Sequence, residues 1–372
     1  MQEIINHPIS RSGKSVVGIL RTSAQNVVDD IGRLMRNLNY KSDLTPKLET
    51  ILKINISWHH YYPACSTTPW QLEGVTRTLI EDHFIPESLI PAQNRTVVVD
   101  PEKGAENNRH NSVLNKYGLK TAWLFKPEVE WVNFKPQQKM LVLDDIFPEG
   151  ITIPKLFIGK NAIHLPTMKT HVFTRTTGAM KNAFGGLLKE NRHWCHAHIH
   201  ETLVDLLAIQ KEIHPGLFAV MDGTISGKGP GPRAMEPVVT NLMLASNDMV
   251  SIDAIAAKLM GFEPLEIDYI RLAHEMGLGC GDPREIELIG DDVGDLQLNF
   301  KVGNTLASLG QKMIYWGPLK PFEKFLLRSK GVGWSYIASK LYHDFYWYPL
   351  IGKRRKNKIL NGTDWGNLFK SY

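Results

Sequence analysis

Lysine, histidine and threonine side chains are concentrated in one stretch of the chain, residues 166–186. It contains Lys169, His171 and Lys181, and residues compatible with a helix follow its Thr-Thr-Gly turn. The pattern predicts a strand, a polar loop and a helix start, where free backbone N–H groups and the positive end of the helix dipole favour an anion. We therefore predict an anion-binding loop in which His171 is an acid/base group and Lys181 and Lys169 hold an anionic substrate or cofactor.

Four further residues complete this predicted binding loop: Thr176, Thr177, Gly178 and Asn182. The alternative interpretation is that the two threonines cap the helix and that the glycine serves the turn. Capping does not explain why a histidine and two lysines occupy the same stretch.

A second stretch, residues 193–200, contains four histidines and a cysteine. Imidazole is the commonest metal ligand in proteins. His196 and His200 would share one face of a helix, whereas His196, His198 and His200 would share one face of a strand. The stretch predicts that these three histidines bind a transition metal, nickel or iron; histidines of a surface loop without a metal are the alternative.

A third group of candidates lies at the ends of two predicted strands. Thr67 and Thr68 precede Pro69, which is suited to the first position of a helix and so predicts a second anion-friendly helix start. Asp222 ends a predicted buried strand and begins a loop rich in glycine and proline, where it is a ligand, a helix cap or a turn residue. His59 and His60 stand at the strand edge where open α/β sheets bind ligands, although an aromatic loop packed on the core is the alternative.

Composition limits the function classes. The chain has 372 residues, and its 43 Lys+Arg against 38 Asp+Glu give a net charge of +5, too small to predict nucleic-acid binding. Cys65, Cys195 and Cys280 form no CxxC motif, so we expect no self-contained iron–sulfur cluster. Residues 1–10 lack a signal-peptide pattern and no run of about eighteen apolar residues occurs, which predicts a cytoplasmic protein.

Apolar runs of strand length alternate with helical patterns. Predicted strands cover residues 15–21, 51–56, 96–100, 122–125, 129–134, 140–143, 155–159, 162–165, 217–221, 242–246 and 285–289, and predicted helices cover 23–38, 70–84, 202–213, 250–260 and 263–276. This alternation predicts an α/β fold with a mixed, mainly parallel sheet flanked by helices and the site at the strand C-terminal ends. We assign residues 1–300 to this domain.

Residues 301–372 depart from the alternation and form a predicted helical C-terminal extension. It is aromatic, with Tyr315, Trp316, Trp334 and Tyr336, and ends in a basic run at residues 353–358. Aromatic residues beside a basic run favour binding to a membrane surface or a protein partner. The alternative is a helical appendage packed on its own domain.

Several of these motifs occur in an order typical of a known family. The segments are Lys169-Thr-His171, Thr177-Gly178-Ala-Met-Lys181-Asn182, Met221-Asp222-Gly223 and Ser246-Asn-Asp248-Met-Val-Ser-Ile-Asp253. Together, over roughly residues 15–290, they resemble the family catalogued as domain of unknown function three-six-two. Many members of that family also carry ferredoxin-like cysteine motifs for two iron–sulfur clusters, and this chain lacks them.

A more distant resemblance is to the nickel-pincer lactate racemase group. In that group an acid/base histidine precedes, by ten positions, a lysine that anchors the cofactor, and a later histidine binds nickel. His171 and Lys181 keep this spacing, and His196 or His198 falls near the ligand position. The resemblance implies a shared fold and, as a hypothesis, shared chemistry.

These patterns lead to two functional hypotheses. The first is a metal- or metallocofactor-dependent enzyme, an isomerase or oxidoreductase, that acts on a small anionic organic substrate by acid/base or redox chemistry. The second is a non-catalytic binding or assembly factor that acts at a membrane surface or in a protein complex through residues 301–372.

Overall fold

The computed structural model describes residues 14–96, 98–328 and 333–372. Residues 1–10, where the sequence shows no signal-peptide pattern, lie outside this part of the chain. The side chains of Trp334 and Tyr336, counted above among the aromatic residues of the C-terminal extension, are also not described.

The strands are β1 (Ser15–Arg21), β2 (Thr50–Lys53), β3 (Leu89–Gln93), β4 (Ala122–Trp123), β5 (Trp131–Phe134), β6 (Ile151–Pro154), β7 (Asn161–His164), β8 (Thr167–His171), β9 (Arg175–Thr176), β10 (Leu217–Lys228), β11 (Glu236–Ser246) and β12 (Ile286–Gly290). The α-helices are α1 (Val27–Asn37), α2 (Pro69–Glu81), α3 (Pro101–Asn107), α4 (His110–Lys116), α5 (Leu143–Ile146), α6 (Ala179–Phe184), α7 (Ile199–Ile213), α8 (Met249–Leu259), α9 (Asp268–Glu275), α10 (Leu306–Tyr315), α11 (Glu323–Arg328), α12 (Gly333–Lys340), α13 (Lys353–Gly362) and α14 (Asp364–Ser371). A π-helix, Leu341–Gly352, connects α12 to α13.

One large sheet organises the protein. Its strands follow the order β12-β1-β11-β10-β7-β2-β3-β4, and β8 and β9 branch from β10. Strands β7, β2, β3 and β4 run parallel to β10, whereas β11 is antiparallel to both of its neighbours. The predicted α/β fold with a mixed, mainly parallel sheet is therefore confirmed.

The two faces of the sheet pack against different helices, because successive side chains of a strand point to opposite faces. On one face Ala162 and Leu244 join a core with α7 and α8. On the other face Ile163 and Met243 join a core with α1 and α2. Both faces are thus covered, as a parallel sheet requires.

Three predicted strands are wrong. Residues 155–159 begin with a 3-10 turn, Lys155–Phe157, after β6. Residues 140–143 form no strand, and α5 begins at Leu143. The third strand is Leu89–Gln93 rather than 96–100, where only an isolated bridge joins Thr96 to Val99. In the sequence, Pro91 argues against a central strand, because proline has no N–H to donate to a neighbouring strand. In the structure, β4 pairs only with Ala92 and Gln93, so β4 does not need an N–H from Pro91.

The loop predicted from Asp222 onwards is also wrong, because β10 continues as a strand to Lys228. Its glycines allow neighbouring segments to approach closely instead of forming a turn. A Cβ atom at Gly227 would lie 2.4 Å from the Met235 sulfur, and one at Gly223 would lie 3.2 Å from the Leu242 carbonyl oxygen. The register with β11 shifts between Gly223 and Ile225, which bends the strand.

Some predicted helices are longer than the observed ones. Helix α1 starts at Val27, with Asn26 rather than Ser23 at its N-cap. Helix α9 starts at Asp268, because Pro264–Glu266 forms a separate 3-10 turn.

The C-terminal region is helical, as predicted, and its last part packs into the core. Trp347, Ile359, Trp365 and Phe369 are buried in the same apolar cluster as strand β2. The Trp365 indole packs on Trp70, with 5.3 Å between ring centroids, and its Nε1 donates a hydrogen bond to Asn241 Oδ1 at 2.8 Å. Among the helices in the described ranges, none is long and apolar enough to cross a membrane.

We predict that Trp365→Ala lowers the free energy of unfolding by about 3–5 kcal/mol, because it leaves a cavity beside Trp70 and removes the bond to Asn241. Phe325→Ala, at a side chain that is 74% exposed, should change it by less than about 0.5 kcal/mol. Urea unfolding of both variants measures the difference. Equal stability of the two would show that residues 341–372 do not belong to the core.

Candidate functional site

A cavity of about 310 Å³ lies at the C-terminal ends of the parallel strands. Asn55 and Ser57 after β2 and Gln93 at the end of β3 form one wall. Strand β8 and helix α6 form another, and Ser308 and His343 from the C-terminal region close it. The site therefore lies at the sheet edge where open α/β folds bind ligands.

Lys169 reaches this cavity from β8 and is buried. Its Nζ donates to the Cys65 carbonyl oxygen at 2.8 Å and to Thr167 Oγ1 at 2.6 Å. An ammonium group has three donors, so one remains for a ligand. Burial lowers the pKa of Lys169 to about 8.

Lys181 lies on the third residue of α6 and lines the same cavity. Its Nζ lies 5.0 Å from the centroid of the Phe184 ring, and it donates no hydrogen bond to another residue within the described ranges. Burial, together with the positive charges of Arg192 and Lys169, lowers the pKa of Lys181 to about 7. Among the described residues, this ammonium lies next to other cations and has no anionic partner.

Two arginines, Arg192 and Arg233, add to the positive lining. Arg192 is buried and donates to backbone carbonyl groups, and burial lowers its pKa to about 10. Glu190 is the carboxylate among the described lining residues, and it already pairs with Arg95 at 2.6 Å. Positive charge therefore dominates the cavity.

His171 and His196 both line the cavity, and their hydrogen bonds fix opposite tautomers. His171 Nδ1 accepts from the backbone N–H groups of Phe173 at 3.2 Å and Thr174 at 3.4 Å, which leaves Nε2 as the protonated nitrogen. His196 Nδ1 donates to the His193 carbonyl oxygen at 3.0 Å, which leaves Nε2 as an acceptor. Burial is the main cause that lowers both pKa values, that of His196 to about 3.

The predicted helix start at Gly178 does not offer its amides to a ligand. Asp253 Oδ1 accepts from the N–H of Ala179 at 2.6 Å, and Oδ2 accepts from that of Met180 at 3.2 Å. A Cβ at Gly178 would lie 2.0 Å from Asp253, so glycine allows this approach. Free amides as part of the anion site are therefore a wrong prediction, since an internal carboxylate already occupies that position.

The loop threonines do not cap α6 either. Thr176 Oγ1 lies 2.9 Å from the Tyr269 hydroxyl, and Thr177 Oγ1 donates to the Thr167 carbonyl oxygen at 3.3 Å. Thr177, Gly178 and Asn182 line the cavity, although Asn182 Nδ2 is bonded to the Lys53 carbonyl oxygen at 2.7 Å.

Thr67, Thr68 and Asp222 form a buried network outside the described cavity lining. Thr68 caps α2, and its hydroxyl also donates to Asp222. Trp70 Nε1 donates to the same carboxylate at 3.1 Å, and Thr67 Oγ1 donates to the Leu165 carbonyl oxygen at 2.7 Å. These bonds hold α2 against the sheet, and contact of the three residues with substrate stays a prediction.

The predicted metal ligands do not come together. His196 faces the cavity, His198 is exposed, and His200 Nδ1 accepts from the Tyr269 N–H at 3.2 Å. In residues 14–96, 98–328 and 333–372, the histidine, cysteine and carboxylate groups with all ligand atoms within 4.8 Å of one another are His59, His60 and Asp344. The described part of the chain therefore does not bring His196, His198 and His200 together, and metal binding by these three histidines stays a prediction.

Several lining residues were not identified from the sequence: Gln93, Arg192, Arg233, Ser308 and His343. Arg192 directly precedes the histidine stretch, so a count of all cations near residues 169–196 would have included it. The C-terminal residues reach the cavity only through long-range packing, and no local pattern indicates that contact.

Fold and site together define an α/β protein with a cation-lined cavity at the strand C-terminal ends. Residues 50–258 match the family described as domain of unknown function (DUF362), and the chain belongs to that family. The chain is also similar to a thylakoid-associated protein of Synechocystis sp., with 28% identity over 123 residues. This match covers 31% of the chain and 37% of the relative. No solved structure matches the chain.

The two cavity lysines predict a pH dependence of stability. Their folded-state pKa values, about 8 for Lys169 and about 7 for Lys181, lie below the unfolded value of about 10.4. Between these values the unfolded state binds more protons, so the free energy of unfolding should rise from pH 7 to pH 9.

Urea unfolding at pH 7, 8 and 9 tests this pH dependence. Lys181→Met and Lys169→Met should each reduce the slope by up to about 1.4 kcal/mol per pH unit, whereas Lys258→Met on the exposed face of α8 should not. Equal slopes in all four proteins would mean that the cavity lysines keep ordinary pKa values.

Proposed function

We propose that the protein is an enzyme that binds a small anionic organic molecule in this cavity and acts on it by acid/base chemistry. The observation that carries the proposal is the arrangement of four cations, Lys169, Lys181, Arg192 and Arg233, around one cavity. Like charges held close together at a buried or half-buried site are unfavourable, and a bound anion would offset that cost. A carboxylate or phosphate group would also use the remaining donor of Lys169 and the unpaired ammonium of Lys181.

An anion in the cavity would favour the charged form of both lysines and so raise their pKa values. Near pH 8, where the free protein holds Lys181 mostly neutral, binding should be accompanied by proton uptake. Proton uptake distinguishes binding at this cavity from binding to exposed lysines, which are already charged at this pH.

The two cavity histidines supply the acid/base part of the proposal. The protonated Nε2 of His171 can donate a hydrogen bond to an oxygen that gains negative charge, and the bare Nε2 of His196 can accept a proton. A nearby anionic substrate would raise both histidine pKa values from their lowered positions. A donor and an acceptor on one cavity suit an isomerase that moves a proton, and metal dependence remains part of the proposal.

The distant resemblance to lactate racemases stays a hypothesis. His171 and Lys181 line one cavity, in keeping with the roles that the resemblance implies for them. Of the two candidate nickel ligands, His196 lines the cavity and His198 is exposed. Of these two histidines, only His196 would therefore be placed to bind a nickel cofactor in this cavity.

The proposal is tested with a panel of hydroxy acids, dicarboxylates and organic phosphates, with sulfate as the reference anion. At least one panel member should bind with proton uptake, measured by calorimetry in buffers of different ionisation enthalpy. Lys181→Met should weaken that binding at least about tenfold, Lys181→Arg should restore part of it, and Lys258→Met should have no effect. Unchanged affinity in both Lys181→Met and Lys169→Met would contradict the proposal.

Catalysis is tested separately by following deuterium uptake from solvent into the bound compound by NMR. His171→Gln should keep the anion affinity but slow the exchange by about 100-fold or more, because a glutamine amide can still donate a hydrogen bond but cannot transfer a proton as an imidazole does. Exchange at the wild-type rate in both His171→Gln and His196→Gln would leave a binding protein and contradict the enzyme hypothesis.

A second candidate function, binding to a membrane surface, is favoured by a different observation. Most of the large apolar side chains that are exposed in the described ranges lie between Leu306 and Ile351. Phe345 is 72% exposed and Leu350 is 65% exposed, and the basic run at residues 353–358 follows them directly. Exposed apolar side chains beside basic residues suit an anionic lipid surface, and the similar Synechocystis sp. protein is described as thylakoid-associated.

Vesicle sedimentation tests this second function. The full chain should bind vesicles that contain phosphatidylglycerol, and Phe345→Ser with Leu350→Ser should weaken binding about 100-fold, since two apolar side chains contribute roughly 3 kcal/mol. Ile85→Ser with Leu288→Ser, two exposed apolar residues outside this region, is the matched control. Similar binding by both double variants would contradict membrane attachment through this region.

A further inference from the structure

A compact group of metal-ligand side chains lies between the end of β2 and the π-helix. His59 and His60 follow β2 in the chain, and Asp344 comes from the π-helix. Their candidate ligand atoms all lie within 4.8 Å of one another. We propose that His59, His60 and Asp344 bind a divalent first-row transition-metal ion, which fastens the π-helix to the loop that follows strand β2.

The distance between the first and last of these groups supports a shared metal. His59 Nε2 and Asp344 Oδ2 are 3.5 Å apart. A hydrogen bond between a charged imidazole and a carboxylate is shorter, about 2.7–2.9 Å. Two tetrahedral ligands at bond lengths of about 2.0–2.1 Å are about 3.4 Å apart. The observed separation therefore fits two ligands of one ion better than a direct ion pair.

Neighbouring residues orient each ligand, as they do in established metal sites. The buried Trp58 indole donates from Nε1 to Asp344 Oδ1 at 2.7 Å, which leaves Oδ2 for the metal. The His60 ring stacks on Tyr348, with 4.3 Å between centroids and 4° between planes. Asn107 Nδ2 donates to the His59 carbonyl oxygen at 2.6 Å, which fixes the backbone of the histidine pair.

The donor set and its surroundings select the type of metal. Two imidazole nitrogens and one carboxylate oxygen suit zinc, iron, cobalt or nickel, whereas calcium and magnesium prefer several oxygen ligands. The positive charges of Lys103, Lys340 and Arg233 act on His59 and repel any cation. An ion at this site must therefore be held by coordination bonds to the ligands rather than by charge alone. Three protein ligands leave at least one coordination position open.

The metal-ligand group lies next to two residues that line the cavity. Ser57, two residues before His59, and His343, directly before Asp344, both line the cavity. An ion that joins β2 to the π-helix would hold these two lining residues in place. The metal would therefore stabilise the wall of the cavity that the C-terminal region supplies.

Metal titration of the full chain, after treatment with a chelator, tests the site. One equivalent of Zn²⁺ should bind by calorimetry, and Co²⁺ should give the visible absorption bands of a nitrogen- and oxygen-ligated ion. His60→Ala and Asp344→Asn should each weaken Zn²⁺ binding at least about tenfold. Asp344→Asn keeps an acceptor for Trp58, so it tests the ligand rather than the fold; circular dichroism checks folding of both variants.

The matched control is the triple variant His196→Ala, His198→Ala and His200→Ala, which removes three histidines elsewhere and should bind Zn²⁺ like the wild type. Stoichiometric binding that is lost in this triple variant would overturn the proposal. So would the absence of stoichiometric Zn²⁺ in the wild type, or wild-type affinity in folded Asp344→Asn.

Hydrogen exchange tests the fastening role independently of activity. Zn²⁺ should slow amide exchange in residues 341–352 of the wild type and leave exchange in Asp344→Asn unchanged. Stoichiometric binding without slower exchange in this segment would show that the ion does not fasten the π-helix, and that part of the proposal would fall.

Discussion

The position of the cavity depends on how strand β10 pairs. Along one side β10 pairs with β11, and along the other it pairs first with β7 and then with β8. The chain passes from β7 to β8 through Leu165 and Pro166, and the Asp222 N–H donates to the Pro166 carbonyl oxygen at 2.9 Å. Strand β8 is therefore a branch of the sheet that pairs with β10 beyond β7, and its Lys169 and His171 line the cavity. The register of β10 with β11 shifts between Gly223 and Ile225, close to the point where β10 changes its other partner from β7 to β8.

The positive charge of the cavity comes from side chains, because the positive end of helix α6 is neutralised within the protein. The N-terminus of α6 is neutralised by Asp253, whose own carboxyl pKa burial raises to about 7. Lys169 is partly satisfied by neutral oxygens, and the Lys181 ammonium meets the face of a phenyl ring. Recognition of an anion at this site would thus depend on lysine and arginine side chains rather than on backbone amides.

Local patterns predicted the parts of the site that are local in sequence. Lys169, His171 and Lys181 line one cavity because strand β8, a turn and the short helix α6 follow one another directly. The sequence predicted the helix start, but it placed Lys169 and His171 in a polar loop after the strand at 162–165 rather than on strand β8. The partner of the α6 N-terminus could not be predicted, because Asp253 is 74 positions from Ala179. Apolar alternation likewise predicted most strands and the fold class, but it failed in β10, where glycines serve close packing instead of a turn.

The same limit applies to the metal-ligand group. His59 and His60 stand out in the sequence at a strand end, but a pair of adjacent histidines defines no site by itself. The third ligand comes from Asp344, and Trp58, which orients it, is 286 positions away. Histidine density pointed instead to residues 193–200, where packing against Phe173, Phe184 and Tyr315 explains the position of His196.

The π-helix links the cavity, the metal-ligand group and the exposed apolar surface. Within a few residues it directs His343 to the cavity, Asp344 to the histidine pair and Phe345 to the exposed apolar surface, while Trp347 is buried in the core. The wider turn of a π-helix distributes successive side chains differently from an α-helix, and such segments are frequent at functional sites. Because one short helix carries all three contacts, its anchoring by the buried Trp347 fixes the cavity wall, the metal-ligand group and the exposed apolar surface together.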